Sequence, residues 1–407
     1  MPYRGMQYLK NRLVAKRSRV LLRYRYYDMK NSIKYVRSLI PPEFMWMAET
    51  LGWCGKAVDT LAGRLDFREF RNDNFDLNTI FALNNKDILP DSAMLSALIS
   101  SCCFVYITED ETRFPRLQVI PGSDATGVAD PVTGLLKEGY AVLERNDSGE
   151  PTSEAYFIPG RTEYYQKGKC VRIDNNMAEY PLLVPIIYRP DAMRPFGHSR
   201  ISRSCMNLVQ GALRTMLRSE VSAEFYSFPQ KWVTGLSEDA EAMNKYKATI
   251  SSFLAFTKDE EGEYPKLGQF TQQSMSPFTE QLRTFASLFA GETGLTLDDL
   301  GFVSDNPSSA DAIKASHESL RLLARKAQKT FGSGFLNVGF LAACVRDNYP
   351  YKREQLYQTK LAWEPIFEPD ASMMAGIGDA VTKINKAVPG YFGRNNLRDL
   401  TGVDPEE

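Results

Sequence analysis

The sequence predicts an α+β protein in which an antiparallel β-rich layer is inserted among long helices. Three observations predict it: short strand-like runs between 101 and 189, two long helical stretches bracketing a compact block at 230–276, and another long helix after a small polar loop near 305.

Residues 1–37 hold eleven Lys/Arg against one acid, Asp28, in a helical pattern rich in Arg and Tyr. Such a run is either a solvated helix face or a surface that docks on something anionic. After the break at Pro41 and Pro42, EFMWMAETLGWCGKAVDTLAGRLDF reads as one amphipathic helix over 43–67. The runs CCFVYITED, RLQVIPG, GYAVLERND, EAYFIPG and CVRIDNN then read as β-branched or aromatic strands separated by Gly, Pro, Asn and Asp turns. A helix follows over 198–227, with Ile201, Cys205, Leu208, Ala212, Met216 and Val221 near helical spacing and Pro229 stopping it.

Within 230–276, Ser237 starts a short helix whose first turn is acidic, and two strands, SFLAFT and KLGQFT, flank the acidic turn DEEGEYP. A second helix over 277–290 leads back out, so the block resembles a small head on a two-helix stalk. In DNPSSADAIKASHESLRLLARKAQK (305–329), Asn306 caps with Pro307 at the first helical position, or Ser308 caps with Asp311 three residues on. This helix runs about 35 Å to Phe331, where Gly332 and Gly334 invite a kink, and a further helical piece reaches Val345. A strand (QTKLAWEPIF), a helix near 371–387 and a short GRNNLRDLTG segment complete the chain.

With 407 residues the chain has room for two or three subdomains. Its 49 Lys+Arg and 50 Asp+Glu leave a net charge of -1, which argues neither for nor against nucleic acid. The 20 Tyr and 23 Phe suit a chain with much strand and buried interface. Six cysteines lack any CxxC pair and there are only two histidines, so reduced, mostly buried thiols are expected, without zinc or disulfides. The N-terminal MPYRGMQYLKNRL lacks the apolar core of a signal peptide, and LLVPII and FLNVGFLAACV are too short to span a bilayer. A soluble chain made in a cytoplasm is the expectation.

Catalytic chemistry finds little support. There is no GxxxxGK[ST], the nearest fragment being GWCGKAVD at 52–59, and no GxGxxG after a strand, HExxH or GxSxG. The acids of TEDET (108–112) and DEEGE (259–263) lie in turns, where solvation is the ordinary explanation. The rival reading is a metal-dependent nucleic-acid-processing enzyme in which Asp110 and Glu111 hold the ion. His198 reads as structural and His317 as a neutral surface or interface histidine. No catalytic residue, metal site or cofactor is therefore assigned.

Three long segments resemble the portal proteins of tailed double-stranded DNA bacteriophages: IPPEFMWMAETLGWCGKAVDTLAGRLDF at 40–67, RPFGHSRISRSCMNLVQGALRTMLRSEVSAEFYSFPQKWVTG at 194–235 and LFAGETGLTLDDLGFVSDNPSSADAIKASHESL at 288–320. The resemblance implies the phage-portal fold and a ring, usually of twelve copies, at the capsid vertex through which the genome is packaged and released. It places a first stem helix at 198–228, a clip at 229–276, a second stem helix at 277–293, a tunnel loop at 294–309 and a long wing helix at 310–345. Residues 1–197 and 346–370 would form the rest of the wing, and 371–407 a short or incomplete crown. Implied partners are further copies of the chain, double-stranded DNA, the terminase large subunit, and the major capsid, scaffolding and head-tail connector proteins, with no membrane. The implied location is the virion, reached from the host cytoplasm, and another minor capsid or connector protein with similar helices is the alternative beside the enzyme reading.

The loop from 292 to 311 contains Glu292, Asp298, Asp299, Asp305 and Asp311 and no base. Duplex affinity comes mainly from neutralised phosphates, so such a loop would guide DNA without gripping it. Asp298, Asp299, Asp305, Asn306, Ser308 and Ser309 are its candidate DNA-facing residues, with Gly294 and Gly301 as hinges. Lys314, Arg321 and Arg325 share a helix face and, with Arg203, Arg214 and Arg218, are candidates for phosphate or intersubunit contacts, a solvated face being the alternative. Glu238, Asp239, Glu241, Tyr246 and Tyr264 are candidates for docking the motor and connectors, or else for a plain intersubunit contact.

Overall fold

The computed structural model describes residues 3–34, 40, 42–47, 49–227, 231–234, 266–269, 274–302, 315–367, 369 and 371–403. Helix α1 (Met6–Tyr27) is followed by a 3-10 turn (Pro42–Met47), α2 (Trp53–Ala62), β1 (Phe67–Arg71), α3 (Leu77–Ala82) and α4 (Leu89–Ser100). The expected single helix over 43–67 is therefore broken. Its C-terminal end is drawn into a strand because Phe67 and Phe70 stack with Phe81 and because β1 pairs with a strand some 300 residues later.

Eight strands come next: β2 (Cys102–Glu109), β3 (Pro115–Pro121), β4 (Ala125–Ala129), β5 (Leu136–Arg145), β6 (Pro151–Ile158), β7 (Arg161–Gln166), β8 (Lys169–Asn175) and β9 (Leu183–Ile187). They form an antiparallel three-stranded sheet, β3-β2-β9, and a five-stranded meander, β4-β5-β6-β7-β8. The five expected strands are present, and β4, β7 and β9 are added. LLVPII, expected only as an apolar run, supplies β9; its Pro185 is tolerated because β9 lies at the edge of its sheet.

Helix α1 lies on the meander. Leu9 and Leu13 pack with Tyr140, Val142 and Tyr156 in a small second core. Two buried glutamates fasten it: Glu138 accepts from the backbone N–H groups of Arg4 and Gly5 at 2.8 and 3.0 Å and from the Tyr156 hydroxyl at 2.9 Å. Glu154 accepts from Lys10 at 2.8 Å and from the Tyr140 hydroxyl. One flank of the basic segment thus docks on carboxylates of its own chain.

Helix α5 (Arg203–Ser227) and α6 (Ser276–Thr293) are an antiparallel pair. The register is set by Ser202 against Glu292, Gly211 against Phe285 and Thr215 against Gln281. Beyond their far ends β10 (Lys231–Thr234) pairs antiparallel with β11 (Lys266–Gln269). KLGQFT was expected to be a strand, but its partner is KWVT; SFLAFT and the helix from Ser237 lie outside the described residues.

After a 3-10 turn at Asp298–Leu300, helix α7 (Glu318–Arg346) runs through the main core. Its first half is amphipathic, burying Leu320, Ala324 and Ala327; from Phe331 on nearly every residue is buried, as in a helix packed on all sides. Gly332 and Gly334, where a kink was expected, lie inside one continuous helix about 43 Å long. Gly334 instead permits close packing, since a Cβ there would lie 2.8 Å from Ile186 Cδ1. The caps expected at Asn306 and Ser308 lie outside the described residues.

Strand β12 (Lys360–Trp363) pairs with β1, and α8 (Ala371–Ala387) and α9 (Arg394–Thr401) close the described chain. Asp399 on α9 accepts from Arg68 at 3.2 Å and from Arg71, and Arg398 pairs with Glu69 at 3.2 Å. These contacts tie the last helix back to β1. Cys54, Cys103, Cys205 and Cys344 are buried, and burial raises each thiol above its ordinary range.

Candidate functional site

The root of the α5/α6 pair is built by the short segment FGHSRIS at 196–202. Its first residue of consequence is Gly197, with φ +71°, where a Cβ would meet the Tyr188 carbonyl oxygen at 2.0 Å. Glycine is required there because the chain folds back on Tyr188, whose carbonyl accepts from the His198 N–H at 3.0 Å. His198 then pairs through Nε2 with Asp191 at 2.5 Å, and the Ser199 hydroxyl donates to the Ile99 carbonyl at 2.6 Å.

Arg200 is 6% exposed and has no carboxylate partner among the described residues. Its backbone N–H donates to Leu98 O at 2.8 Å. Its guanidinium donates to the carbonyls of Ala57, at 3.2 Å, and Thr293. Burial lowers its pKa, yet a guanidinium stays charged, so the cation is stabilised by carbonyl dipoles. Thr293 ends α6, and cations favour helix C-termini. One side chain therefore joins α2, the α6 terminus and the start of α5.

Ser202 completes the root. Its hydroxyl accepts from the Cys205 N–H at 3.1 Å, capping α5, and donates to Glu292 Oε1 at 2.8 Å. The helix expected from 198 starts at Arg203 for this reason: residues 197–202 are spent on tertiary hydrogen bonds. Neither Gly197 nor Arg200 was singled out from the sequence. The visible signal was a Gly and two serines just before a helix; the burial of Arg200 depends on residues 57 and 293 and has no local signature.

The loop that α6 delivers begins at Gly294, in the left-handed region with φ +69°, and Gly301 has φ +89°. Between them Asp299 Oδ2 accepts from the N–H and hydroxyl of Thr296, each at 2.9 Å, and Leu300 is buried. Asp299 thus holds a turn and Glu292 is engaged by Ser202, while Asp298 is exposed. Asp305, Asn306, Ser308, Ser309 and Lys314 lie outside the described residues, as do Glu238, Asp239, Glu241, Tyr246 and Tyr264.

The other basic candidates divide. Arg321 pairs with Glu318 through two bonds of 2.7 and 2.6 Å, and Arg214 donates to Lys34 O at 3.3 Å. Arg203, Arg218 and Arg325 are exposed. His317 precedes α7 with its ring 6.2 Å from that of Phe367.

Asp110 closes the turn between β2 and β3. It accepts from the Thr112 N–H and hydroxyl, the Phe114 N–H and Arg116, at 2.6 to 2.9 Å. The Thr112 hydroxyl foremost, then the two N–H groups and Arg116, lower its pKa to about 2. A carboxylate so engaged serves a turn rather than a cation, and among the described residues no group of three or more His, Cys, Asp or Glu could hold a metal. Because the folded pKa lies below the unfolded value near 4, its stabilisation is present above pH 4 and lost as pH falls towards 2. The gap in thermal midpoint between the wild type and Asp110→Ala should therefore be constant from pH 7 to 5 and narrow steadily from pH 4 to 3. A gap that stays unchanged to pH 3 would contradict this account.

Among the described residues no helix is long and apolar enough to cross a membrane. No family profile matches the chain. The portal protein of Mycobacterium phage L5 is 22% identical over 410 aligned residues, covering 94% of this chain and 82% of that protein. That of Mycobacterium phage D29 is 22% identical over 405, with the same coverage. Solved structures of similar chains include one from the virion of a native gene transfer agent particle, with TM-score 0.45, 11% identity, and coverage of 97% and 100%. Another comes from the neck of the native gene transfer agent particle computed with C12 symmetry, with TM-score 0.46, 14% identity and the same coverage. The similarity to these two phage portal proteins runs over 94% of this chain and so takes in all three segments singled out in the sequence.

Proposed function

We propose that this chain is a portal subunit whose copies form a ring at one capsid vertex, with a central channel for DNA entering and leaving the particle. The observation that carries the reading is similarity to two portal proteins across 94% of the chain. The antiparallel α5/α6 pair is assigned to the stem, the block between the two helices to the clip, α7 to the wing, and the segment after α6 to the tunnel loop. A twelve-fold ring, duplex DNA in the channel, and docking of a packaging motor and connector proteins through the clip belong to the same proposal.

The physical case for a guiding loop rests on its charge. From 292 to 311 there are five acids and no base, so almost no counterion release is available to hold a duplex. Asp298, exposed in the described part of the loop, repels phosphates, and a ring would repeat that repulsion around the axis. Sliding is favoured over gripping.

Purified protein should appear in electron micrographs as rings with a central hole, and migrate as an assembly on the order of several hundred kilodaltons. Chelators should leave it unchanged, and it should not cleave DNA. A small monomer with metal-dependent nuclease activity would overturn the proposal and favour the enzyme reading.

A further inference from the structure

On α1, Arg12, Lys16, Arg19 and Arg23 follow at i, i+4, i+7 and i+11 and so share one flank about 16 Å long. Arg194, before α5, and Arg203, its first residue, add to it. The cations of Arg12 and Lys16 each sit 5.4 Å from the centre of the Phe196 ring, and Arg23 donates to Ile201 O at 3.3 Å. No carboxylate pairs with any of these six among the described residues. This flank differs from the one that meets Glu138 and Glu154, and its charges are crowded. Arg23 is lowered first by burial and then by Arg19, Arg194 and Arg203; Lys16 is lowered by burial and then by Arg12.

The complementary sign occurs elsewhere on the same chain. A groove of about 580 Å³ beside α2 and α4 is lined by Asp59, Asp66, Asp87 and Asp91 with a single cation, Lys86. Asp91 is raised by burial and by Asp66 and Asp87, the acidic counterpart of the crowding on α1. The asymmetry extends to the whole sequence: eleven bases and one acid lie in residues 1–37, leaving 38 bases against 49 acids in the rest.

We propose that this basic flank is an interface between copies, docking Arg12, Lys16, Arg19, Arg23, Arg194 and Arg203 of one subunit onto the Asp66/Asp87/Asp91 groove of the next. The proposal rests on the ring reading and gives it a contact. Two different patches on each copy make a head-to-tail interface, and only a closed ring satisfies every patch. Charges at such a boundary fix register and partner and should make assembly salt-sensitive. Duplex DNA is the less favoured occupant, since it would cover the basic flank alone and leave the Asp66/Asp87/Asp91 groove without a partner.

Arg19, Arg203, Asp87 and Asp91 are all exposed, so reversing them spares the core. The concentration for half-assembly should rise at least about tenfold in R19E/R203E and in D87K/D91K, and return to within about threefold of wild type in the quadruple variant. Circular dichroism melts would establish that each variant is folded, and should a reversal impair folding, R19Q/R203Q reads the same equilibrium. Wild-type protein that never forms rings defeats the ring reading itself. Wild-type rings with unaffected R19E/R203E rings, or a quadruple variant no better than the doubles, defeat this inference alone. So does an R19E/R203E protein that still forms rings but no longer retains a short duplex in low salt, which would make the flank a nucleic-acid face.

Discussion

Gly197→Ala should destabilise the protein by about 4 kcal/mol, among the largest effects available to a single methyl group. Two costs add. The position has φ +71°, where an L side chain is strained by about 1–2 kcal/mol. The new Cβ would also stand 2.0 Å from the Tyr188 carbonyl oxygen, with Ile187 Cγ2 at 2.9 Å, and a backbone oxygen cannot rotate away as a side-chain tip can. Relief requires breaking the His198 N–H bond to Tyr188, which removes the fixed point from which Ser199, Arg200 and Ser202 are placed. Thermal unfolding should show a sharply lowered midpoint, and amide exchange should be accelerated at 197–206 and, through Ser202 and Arg200, at 290–294. A loss below about 1 kcal/mol would mean that the turn can open without cost.

The contrast between this junction and the strands shows which features a sequence carries locally. CCFVYITED, GYAVLERND and EAYFIPG were readable because alternation and flanking turn residues decide a strand within ten residues. The helix at 371–387 was likewise readable, its bounds matching Ala371–Ala387. What failed was decided at long range. The run 43–67 has helical periodicity to its end, but Phe67 leaves the helix because its ring finds Phe81, Phe335 and Trp363. Gly332 and Gly334 suggested a break in the helix by local rule, whereas the helix continues through both and the close approach of Ile186 uses the missing Cβ of Gly334. Of the candidate site, the charge of the 292–311 loop was legible. That Glu292 and Asp299 are occupied by Ser202 and Thr296 was not, because each bond depends on where the helix ends meet.

Arg200→Met should cost about 2 kcal/mol and act mainly on the C-terminal end of α6, where the acidic loop begins. Methionine keeps the aliphatic stem but removes the donors, leaving the buried helix-terminal carbonyl of Thr293 unpaired at about 1–3 kcal/mol, while that of Ala57, inside α2, loses its second donor, and relief of a buried charge offsets part of the loss. Arg200→Lys should recover only part of the loss. Burial depresses lysine more readily, and a single ammonium lacks the planar fork that spans two helices. The consequence for the loop follows from position: Thr293 is the last residue of α6, and the next residue, Gly294, begins the loop through a left-handed turn. With Arg200 in place, the direction in which the acidic loop leaves the helix is set by α2 and the α5 root. Without it, the two helix ends keep the apolar packing of Phe289 and Ala290 and one exposed hydrogen bond, from Ser202 to Glu292. Amide exchange at 293–300 should then rise more in Arg200→Met than in Arg200→Lys, while the meander at 125–175 keeps its protection. Equal loss of protection in both regions would show that Arg200 supports the whole fold instead of aiming the loop.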